Sequence, residues 1–480
     1  MKKFFNMITN KWLLKGTTTI ILVALVIACY IGMNWAVKLI KIEDLDFTTK
    51  KLYSLSEETK NRLKQLENDI TIQLININSE YVMEYVNKYK IASDKVKVEE
   101  VDDLSSRVDL QTKYNVAESG TLIVVKNGER EKVLTLDDLY TYDYVTREEI
   151  DRTEEAITNA IVEVTIEDKP HIYVLNGKAY SDPEQSLGII ATKLIAEANE
   201  VTLLDILTKG SVPEDCDCLI ITTLKQDLSD LERDEILKYI NNGGKILMLT
   251  SQNIIKVDTP NVDQVLKQYG ITLDYGVIFE QESDKMLYDT PNMVVADANA
   301  TYMSDLDMAL KLFLVNPGKI QFEDDKKLEE LGVGYEAIAT TSAKSFVRTD
   351  FEQESASRTD KDSEEGQSIV GAHVAKQVSD DKISQLIIFS DETFASTSQL
   401  ILGYQYVSAV YLYNNEDVVL NSVSHLTERN DTITIRKTDE IEYYTVTDQE
   451  DVVIKTIIFV VPVLIIGAGV VVWMVRRRKI

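Results

Sequence analysis

The pattern of hydrophobic and polar positions changes once along the middle of this chain, and the change separates two predicted domains. From residue 70 to residue 164, short apolar runs predict the strands and helices of a small α/β domain. After Lys169-Pro170 the pattern restarts as apolar runs that alternate with amphipathic segments. We therefore place an N-terminal domain at residues 38–168 and a second domain at residues 169–440.

The second domain is predicted to contain a largely parallel sheet with helices on its faces, because its strands alternate with helices. The predicted strands are short apolar runs at His171–Leu175, Val201–Ile206, Cys218–Thr222, Lys245–Leu249 and Ile387–Ser390. Ser229 is a predicted helix N-cap, and Gly243-Gly244 is a predicted helix stop. A less regular insertion is expected at about residues 279–378, where the polar run 352–367 is predicted to be a mobile loop.

Two uncharged apolar stretches, residues 17–37 and residues 456–475, stand on either side of these domains. Each is close to the roughly 20 helical residues that cross the hydrocarbon core of a bilayer, so both are predicted transmembrane helices. The basic tails, residues 1–16 and 476–480, are predicted to stay in the cytoplasm. The prediction is a two-pass protein of a bacterial plasma membrane, with its main body extracytoplasmic and residues 441–455 as a stalk.

One alternative concerns the first apolar stretch. Val26-Ile27-Ala28-Cys29 follows a lysine-bearing start and an apolar run, which is the form of a lipoprotein cleavage site. Lipidation of Cys29 would replace the first transmembrane helix with a lipid anchor. Against this, the apolar run continues beyond Cys29 through Val37, where a mature lipoprotein turns polar. Either outcome leaves the main body outside the cytoplasm.

The charge of the chain limits its partners. The sequence has 79 Asp and Glu against 51 Lys and Arg, a formal net charge of −28 at pH 7. An excess of this sign argues against nucleic acid and against anionic lipid headgroups as partners. Cys216 and Cys218 are too close in sequence for an ordinary disulfide, and no second Cys or His pair accompanies them. No metal site and no cofactor are therefore predicted.

The usual signatures of catalysis are missing from the sequence. Gly243-Gly244-Lys245 lacks the spacing of a phosphate-binding loop and comes after a predicted helix instead of before one. No Ser or Cys has the flanking glycines of a nucleophile elbow. The three histidines, His171, His373 and His425, are assigned no catalytic part, and His171 and His425 are expected to be structural. We predict no catalytic residue, and the chain is not expected to be an enzyme.

An ordered series of segments carries a family resemblance over nearly the whole chain. The segments are Asp46–Thr59, Val212-Pro213, Asp217–Ile221, Leu228–Glu232, Asn242–Leu247, Thr341–Phe346, Phe389–Phe394 and Asn421–Thr427. In this order they resemble the gliding-motility-type (Gld-type) auxiliary proteins of ABC transporters. Two positions depart from the family pattern: Asn176-Gly177-Lys178-Ala179 replaces a glycine-histidine-glycine-like turn, and His425 replaces a tryptophan. A ligand role of that turn is therefore in doubt.

The resemblance implies a fold class and a function. The fold class is α/β, with two transmembrane helices that flank an extracytoplasmic region. That region holds a small N-terminal α/β domain and a larger flavodoxin-like domain of the amidotransferase-like (GIFT) type, catalytically silent.

The implied function is that of a non-catalytic auxiliary subunit, whose outer domains bind a substrate or an envelope partner and whose spans dock on a permease. The implied partners are the permease and ATP-binding subunits of an ABC transporter, the membrane and an envelope ligand. Two alternatives stay open: a membrane-anchored envelope scaffold or sensor without a transporter, and a tethered hydrolase or amidotransferase-like enzyme.

Overall fold

The computed structural model describes residues 54–142, 149–251, 254, 257–303, 310–352, 356–402 and 405–428. The α-helices found there are α1 (Glu57–Lys64), α2 (Glu80–Ala92), α3 (Val108–Tyr114), α4 (Thr153–Thr165), α5 (Pro183–Ser186), α6 (Gly188–Ala196), α7 (Ile206–Lys209), α8 (Asp230–Asn241), α9 (Pro260–Lys267), α10 (Asp325–Leu331) and α11 (Asn415–Leu426). The strands of the first half of the chain are β1 (Ile70–Ile75), β2 (Val96–Val101), β3 (Leu122–Asn127), β4 (Arg130–Leu134), β5 (Tyr140–Tyr142), β6 (Glu149–Asp151), β7 (His171–Leu175), β8 (Glu200–Leu204), β9 (Cys218–Ile221) and β10 (Lys245–Leu249). The later strands are β11 (Ile271–Leu273), β12 (Val277–Phe279), β13 (Met286–Leu287), β14 (Thr290–Ala298), β15 (Leu310–Val315), β16 (Ile320–Phe322), β17 (Val333–Thr340), β18 (Phe346–Arg348), β19 (Ile369–Ser379), β20 (Lys382–Phe389), β21 (Gln399–Leu402) and β22 (Gln405–Ser408).

The N-terminal part is built on a four-stranded sheet in the order β2-β1-β3-β4. Strands β1 and β2 run parallel, whereas β3 runs antiparallel to both β1 and β4. Gly128 has a φ of +61° in the turn between β3 and β4, a backbone conformation that glycine adopts without strain. Apolar side chains of α2 and α4 pack on the apolar side chains of β1 and β3.

The larger sheet has 12 strands, and its main path is β13-β14-β17-β19-β20-β10-β9-β7-β8. Strands β7, β8, β9, β10 and β20 are mutually parallel. Taken in chain order, these five lie in the sheet as second, first, third, fourth and fifth, which is the strand order of flavodoxin-like sheets. Strands β19, β17 and β14 continue the same sheet with antiparallel pairing.

Helices cover both faces of the parallel strands because alternate strand residues are apolar on each side. On one face, α6 and α11 pack against Ile172, Val174 and Leu247. On the other face, α8 and α9 pack against Leu219 and Ile246. Strands buried on two faces read as continuous apolar runs, and β9 is buried at all four of its positions.

Helix α8 begins and ends where the sequence predicts. The Ser229 hydroxyl accepts a hydrogen bond from the backbone N–H of Glu232, and the Glu232 carboxylate accepts one from the backbone N–H of Ser229, a complete capping box. Gly243, with a φ of +87°, ends the helix in the left-handed conformation. The turn then leads directly into β10.

The prediction of a largely parallel sheet is wrong, because the sheet also contains antiparallel strands. The strands between β10 and β20 do not form an irregular insertion, because β14, β15, β17 and β19 pair antiparallel within the main sheet. The physical reason is that pairing direction depends on which distant strand lies alongside, and the local pattern does not contain this information. The sheet is therefore mixed, with a parallel and an antiparallel part.

The predicted fold class also included two flanking transmembrane helices, and this prediction is wrong for the part of the chain that the structure describes. None of the helices there combines the length and the apolar character needed to cross a bilayer. The longest have 13 residues, which at 1.5 Å per residue is well short of a hydrocarbon core of about 30 Å. The two apolar stretches 17–37 and 456–475, both tails, the stalk and Cys29 lie outside the described residues. The domain boundaries at residues 168 and 169 stay a prediction.

Candidate functional site

Strands β9, β10 and β20 are neighbours and parallel, so their carboxyl ends meet at one edge of the sheet. In flavodoxin-like sheets this edge is where ligands bind. Polar residues follow each strand directly: Thr222 and Thr223 after β9, Thr250 and Ser251 after β10, and the run 390–392, Ser-Asp-Glu, after β20. All of them are at least nine-tenths buried. We call these seven residues the strand-end cluster.

Hydrogen bonds join the three strand ends. The backbone N–H of Ser251 donates to Thr223 Oγ1 at 2.8 Å, and the backbone N–H of Thr223 donates to Glu392 Oε2 at 3.0 Å. The Ser251 hydroxyl accepts from the backbone N–H of Glu392 at 3.0 Å and donates to Asp391 Oδ1 at 3.3 Å. Each of the three strand ends is thus linked to another through a side chain, which stabilises their relative positions.

Asp391 extends this network into the antiparallel part of the sheet. Its Oδ2 accepts from the backbone N–H of Val315, at the end of β15, at 2.7 Å. Its Oδ1 also accepts from the backbone N–H of Thr393 at 2.8 Å. Complete burial raises the pKa of Asp391 to about 6, although these hydrogen bonds oppose the shift. Burial also raises the pKa of Glu392, with a smaller contribution from the nearby charge of Asp391.

Two buried hydroxyls at this edge have no hydrogen-bond partner within the described residues: Thr222 Oγ1 and Ser186 Oγ. The segment after β20 connects their surroundings. Glu392 reaches the end of β9 as described, and the backbone N–H of Thr397 donates to the carbonyl oxygen of Ser186 at 2.7 Å. Thr397 Oγ1 in turn accepts from the backbone N–H of Ile189 in the first turn of α6, at 3.2 Å.

The loop after β7 folds over the end of β9. Its backbone N–H at Tyr180 donates to the carbonyl oxygen of Thr223 at 2.7 Å, and Ala179 forms an isolated bridge with Leu224. The Lys178 ammonium lies 3.4 Å from Glu232 Oε2 and donates to the carbonyl oxygen of Asp227 at 3.2 Å. The Lys178 ammonium therefore binds the start of α8, and its charge is paired with Glu232.

Two of the three histidines, His373 and His425, contact each other and Tyr302 in a cluster of rings. Tyr302 stacks on His425 with ring centroids 4.4 Å apart, and His373 contacts both rings edge-on. His373 Nε2 lies 2.9 Å from Gln385 Oε1, and burial raises the pKa of Tyr302. None of the hydrogen bonds described above for the strand-end cluster involves a histidine. The third, His171, lies between the carboxylates of Glu200 and Asp215.

The two cysteines of the C-x-C sequence are both free thiols. Cys218 is fully buried in β9, and Cys216 lies just before it. Burial raises the pKa of Cys216 to about 12, so its thiol is protonated and a weak nucleophile at neutral pH. Over the described residues, no group of three or more His, Cys, Asp or Glu side chains is arranged to hold a metal ion.

The side chains of the strand-end cluster connect the strand ends by hydrogen bonds. A nucleophilic serine needs an adjacent base that can take its proton, usually an oriented histidine. The Ser251 hydroxyl instead accepts from a backbone N–H and donates to Asp391, whose oxygens already accept from backbone N–H groups. The sequence did not single out this cluster, although each of its members lies at the end of a predicted strand or within two residues after it. That position was the signal that could have found it.

The part of the chain that holds the larger sheet is similar to an ABC transport family. Residues 169–422, more than half of the chain, match the family model described as an ABC-type uncharacterized transport system. No curated protein sequence matches. Among similar solved structures, the mmIFT52 N-terminal domain has a TM-score of 0.39 and 12% identity, over 53% of this chain and 97% of its own. A ThuA-like protein from Bacteroides uniformis has a TM-score of 0.31 and 10% identity, over 55% and 93%.

Proposed function

Because this chain belongs to the family described as an ABC-type uncharacterized transport system, we propose that it is a non-catalytic auxiliary subunit of a bacterial ABC transporter. In this proposal a separate ATP-binding subunit supplies the energy and a permease subunit forms the pathway. The chain itself binds a substrate or an envelope component and docks on the permease. Its described domains act outside the cytoplasm.

The observation that carries the proposal is the family match over residues 169–422. The matched range begins just before β7 and ends within α11, so it includes the whole 12-stranded sheet. It also includes every member of the strand-end cluster. The part of the chain that defines the family is therefore the mixed sheet with its helices, and the transport role is assigned to this part.

The state of the strand-end cluster supports a non-catalytic role. Its carboxylates accept hydrogen bonds from backbone N–H groups, and the Ser251 hydroxyl is held between Asp391 and the backbone of Glu392. Groups occupied in this way stabilise the sheet edge and are not free to attack a substrate. The loop after β7 also pairs with the residue Leu224 beyond β9, at the edge where a flavodoxin-like enzyme would bind its ligand.

The finer assignment, to the Gld-type with an amidotransferase-like domain, is also part of the proposal. The strand order of the five parallel strands is compatible with it, because amidotransferase-like domains of this type are flavodoxin-like. The net charge of −28 of the whole chain suits a protein that meets an uncharged or basic partner and does not bind nucleic acid.

The test is purification of the full chain, carrying an affinity tag, from membranes of its native cells. We expect the ATP-binding and permease subunits to be recovered with the chain, identified by mass spectrometry, and absent from a tag-only control. The ATP hydrolysis rate of the two subunits should then differ with and without the chain. Recovery of neither subunit would reject the proposal.

The two remaining candidates give different results in the same experiment. An envelope scaffold or sensor would be purified with envelope proteins and without an ATP-binding subunit. A tethered enzyme would release a product from envelope extracts, and the activity would be lost on substitution of a residue of the strand-end cluster such as Ser251→Ala. Neither result is expected.

A further inference from the structure

A small β-hairpin protrudes from the antiparallel part of the molecule. Strands β21 and β22 pair antiparallel, with Leu400 opposite Val407 and Ile401 opposite Tyr406. Leu400 and Val407 share one face and pack into an apolar cluster with Phe313 of β15 and its neighbours. The hairpin is therefore fixed to the body of the protein by this face.

The other face of the hairpin is exposed and apolar. Ile401 is 66% exposed and Tyr406 is 65% exposed, and the two residues lie directly opposite one another on adjacent strands. Aliphatic and aromatic side chains in this arrangement form a cross-strand pair. Exposed pairs of this kind resemble the aromatic and aliphatic anchors found at the centres of protein interfaces.

The hairpin lies in a stretch without charge. From Thr393 to Asn415 the sequence contains no Asp, Glu, Lys or Arg, although 27% of the residues of the chain are of these four types. Depletion of charged residues together with enrichment of tyrosine is the composition of interface cores. An uncharged patch on a body of net charge −28 selects a partner surface that is also uncharged.

The edges of the hairpin are open as well. Within the described residues, β21 and β22 pair only with each other, so each has one edge without a neighbouring strand. Natural proteins protect open edges with lysine, proline or inward-pointing charges, and this stretch has none of them. A two-stranded hairpin is also marginally stable by itself, and a third strand stabilises it.

We propose that the β21–β22 hairpin binds an extended, uncharged segment of another subunit of the transport system, which adds to the hairpin as a third strand. The partner backbone forms hydrogen bonds with the open edge, and its apolar side chains cover Ile401 and Tyr406. This inference rests on the proposed function and names the surface through which the auxiliary subunit is held.

Two other occupants fit the observations less well. A second copy of the chain would bring two bodies together that each carry a formal charge of −28, and like charges of this size repel. A bilayer would cover Ile401 and Tyr406, but its hydrocarbon core cannot form hydrogen bonds with the backbone groups of an open edge. A polypeptide segment satisfies both the apolar face and the edge.

The first experiment places a photoreactive amino acid at Ile401 or at Tyr406 of the full chain, in cells that express the ATP-binding and permease subunits. Tyr180, which is equally exposed at 65% and belongs to the loop after β7 instead of the hairpin, is the control position. We expect crosslinks to a transporter subunit from the two hairpin positions and not from Tyr180. Crosslinks to lipid, or to a second copy of the chain, would overturn the inference.

The second experiment introduces a charge on the same face. Tyr406→Glu and Ile401→Lys should each reduce the amount of co-purified transporter subunits about tenfold, because a buried unpaired charge opposes binding. Tyr180→Glu should leave it unchanged, and all three variants should melt at the wild-type temperature because these side chains are exposed. If the complex is recovered equally with the hairpin variants, the surface is wrong and the proposed function stands. If wild type recovers no complex, the proposed function fails.

Discussion

Arg348 and Asp362 form a bidentate ion pair that is almost completely buried. Arg348 Nε donates to Asp362 Oδ1 at 3.0 Å and Nη2 donates to Oδ2 at 2.8 Å, with the two side chains 1% and 0% exposed. The guanidinium also lies over the rings of Phe279 and Phe346, at 4.4 and 5.2 Å from their centroids. Asp362 belongs to the polar run 352–367, so part of this predicted mobile loop is anchored to the body.

The first prediction concerns this anchor. Asp362→Ala leaves the Arg348 guanidinium buried without its counter-charge, which costs about 3–5 kcal/mol of the free energy of unfolding. We expect a corresponding decrease in the urea midpoint at pH 7, with an unchanged m-value. The matched control is Lys361→Gln, which breaks the solvent-exposed pair with Asp350 in the same loop. That pair should contribute less than about 1 kcal/mol. Equal losses for the two variants would contradict the role of Asp362 as an anchor.

The second prediction concerns the pH dependence that Asp391 confers. Its folded-state pKa of about 6 lies above its ordinary value of 3.8, so this carboxyl favours the folded state fully below pH 3.8. This contribution is lost as the pH rises through about 6. The loss corresponds to about 3 kcal/mol, since one pKa unit is 1.36 kcal/mol. We expect the difference in unfolding free energy between wild type and Asp391→Asn to decrease by most of this amount, about 2 kcal/mol, between pH 4 and pH 6.5, because the titration has already begun at pH 4.

Asp362 provides the opposite sign as an internal control. Arg348 holds the pKa of Asp362 down at about 2, below its ordinary value of 3.8, so its contribution is present above pH 3.8 and is lost as the pH falls through about 2. The difference between wild type and Asp362→Ala should therefore be constant from pH 4 to pH 6.5. A wild-type advantage over Asp391→Asn that stays constant or grows with pH would disprove the assignment for Asp391.

The elements that the sequence predicted well have strong local signals. Strands β7 and β10 are apolar runs bounded by turn residues, and helix α8 begins at a capping box and ends at Gly243. The antiparallel strands β14, β17 and β19 lack such signals. Their polar and small residues, such as Gly371 and His373 in β19, interrupt the apolar pattern. Their direction and register depend on contacts with strands far away in the sequence.

The strand-end cluster was predictable in part. Thr223, Ser251 and Asp391 each follow a strand of one parallel sheet, so their meeting at one edge follows from the topology. The hydrogen bond from Val315 to Asp391 was not predictable, because it depends on the placement of β15 beside β14 and against the parallel half. The burial of Asp362 was hidden for a different reason. Its polar neighbours give no indication that one carboxylate in the run is buried.

The third prediction concerns the turn between α8 and β10. A Cβ atom on Gly244 would lie 2.4 to 2.6 Å from three ring atoms of Tyr239. This ring cannot easily move, because its hydroxyl donates to the carbonyl oxygen of Lys245 at 3.0 Å and accepts from the N–H of Lys245 at 3.1 Å. Gly244→Ala should therefore lower the unfolding free energy by about 1–3 kcal/mol, measured by urea denaturation.

Gly334 in β17 is the matched control, because nothing lies within 4 Å of a Cβ atom at that position. Gly334→Ala should be neutral or slightly stabilising, since alanine loses less backbone freedom on folding. A similar loss in both variants would indicate that steric overlap with Tyr239 is not the cause.

The last prediction concerns Glu154, whose carboxylate forms hydrogen bonds between helices of the N-terminal domain. This carboxylate is 4% exposed in the first turn of α4 and accepts hydrogen bonds from the backbone N–H of Ser56 at 2.7 Å, from Thr59 Oγ1 at 2.6 Å and from the Tyr85 hydroxyl at 3.0 Å. It thereby joins α1 and α2 to α4. Burial, together with the charge of Glu154, raises the pKa of Tyr85 above its ordinary value, so the phenol remains a donor.

Glu154→Ala removes the acceptor of three hydrogen-bond donors at once. Each buried donor that is left without a partner lowers the free energy of unfolding by about 1–3 kcal/mol. We expect amide hydrogen exchange in α1 to accelerate at least tenfold, because this carboxylate joins the N-cap and the first turn of α1 to α4. The control is Glu149→Ala, at an exposed position shortly before α4. This variant should leave the exchange of α1 unchanged. Exchange that accelerates uniformly over the whole N-terminal sheet, without preference for α1, would show that Glu154 supports the domain as a whole instead of holding this helix.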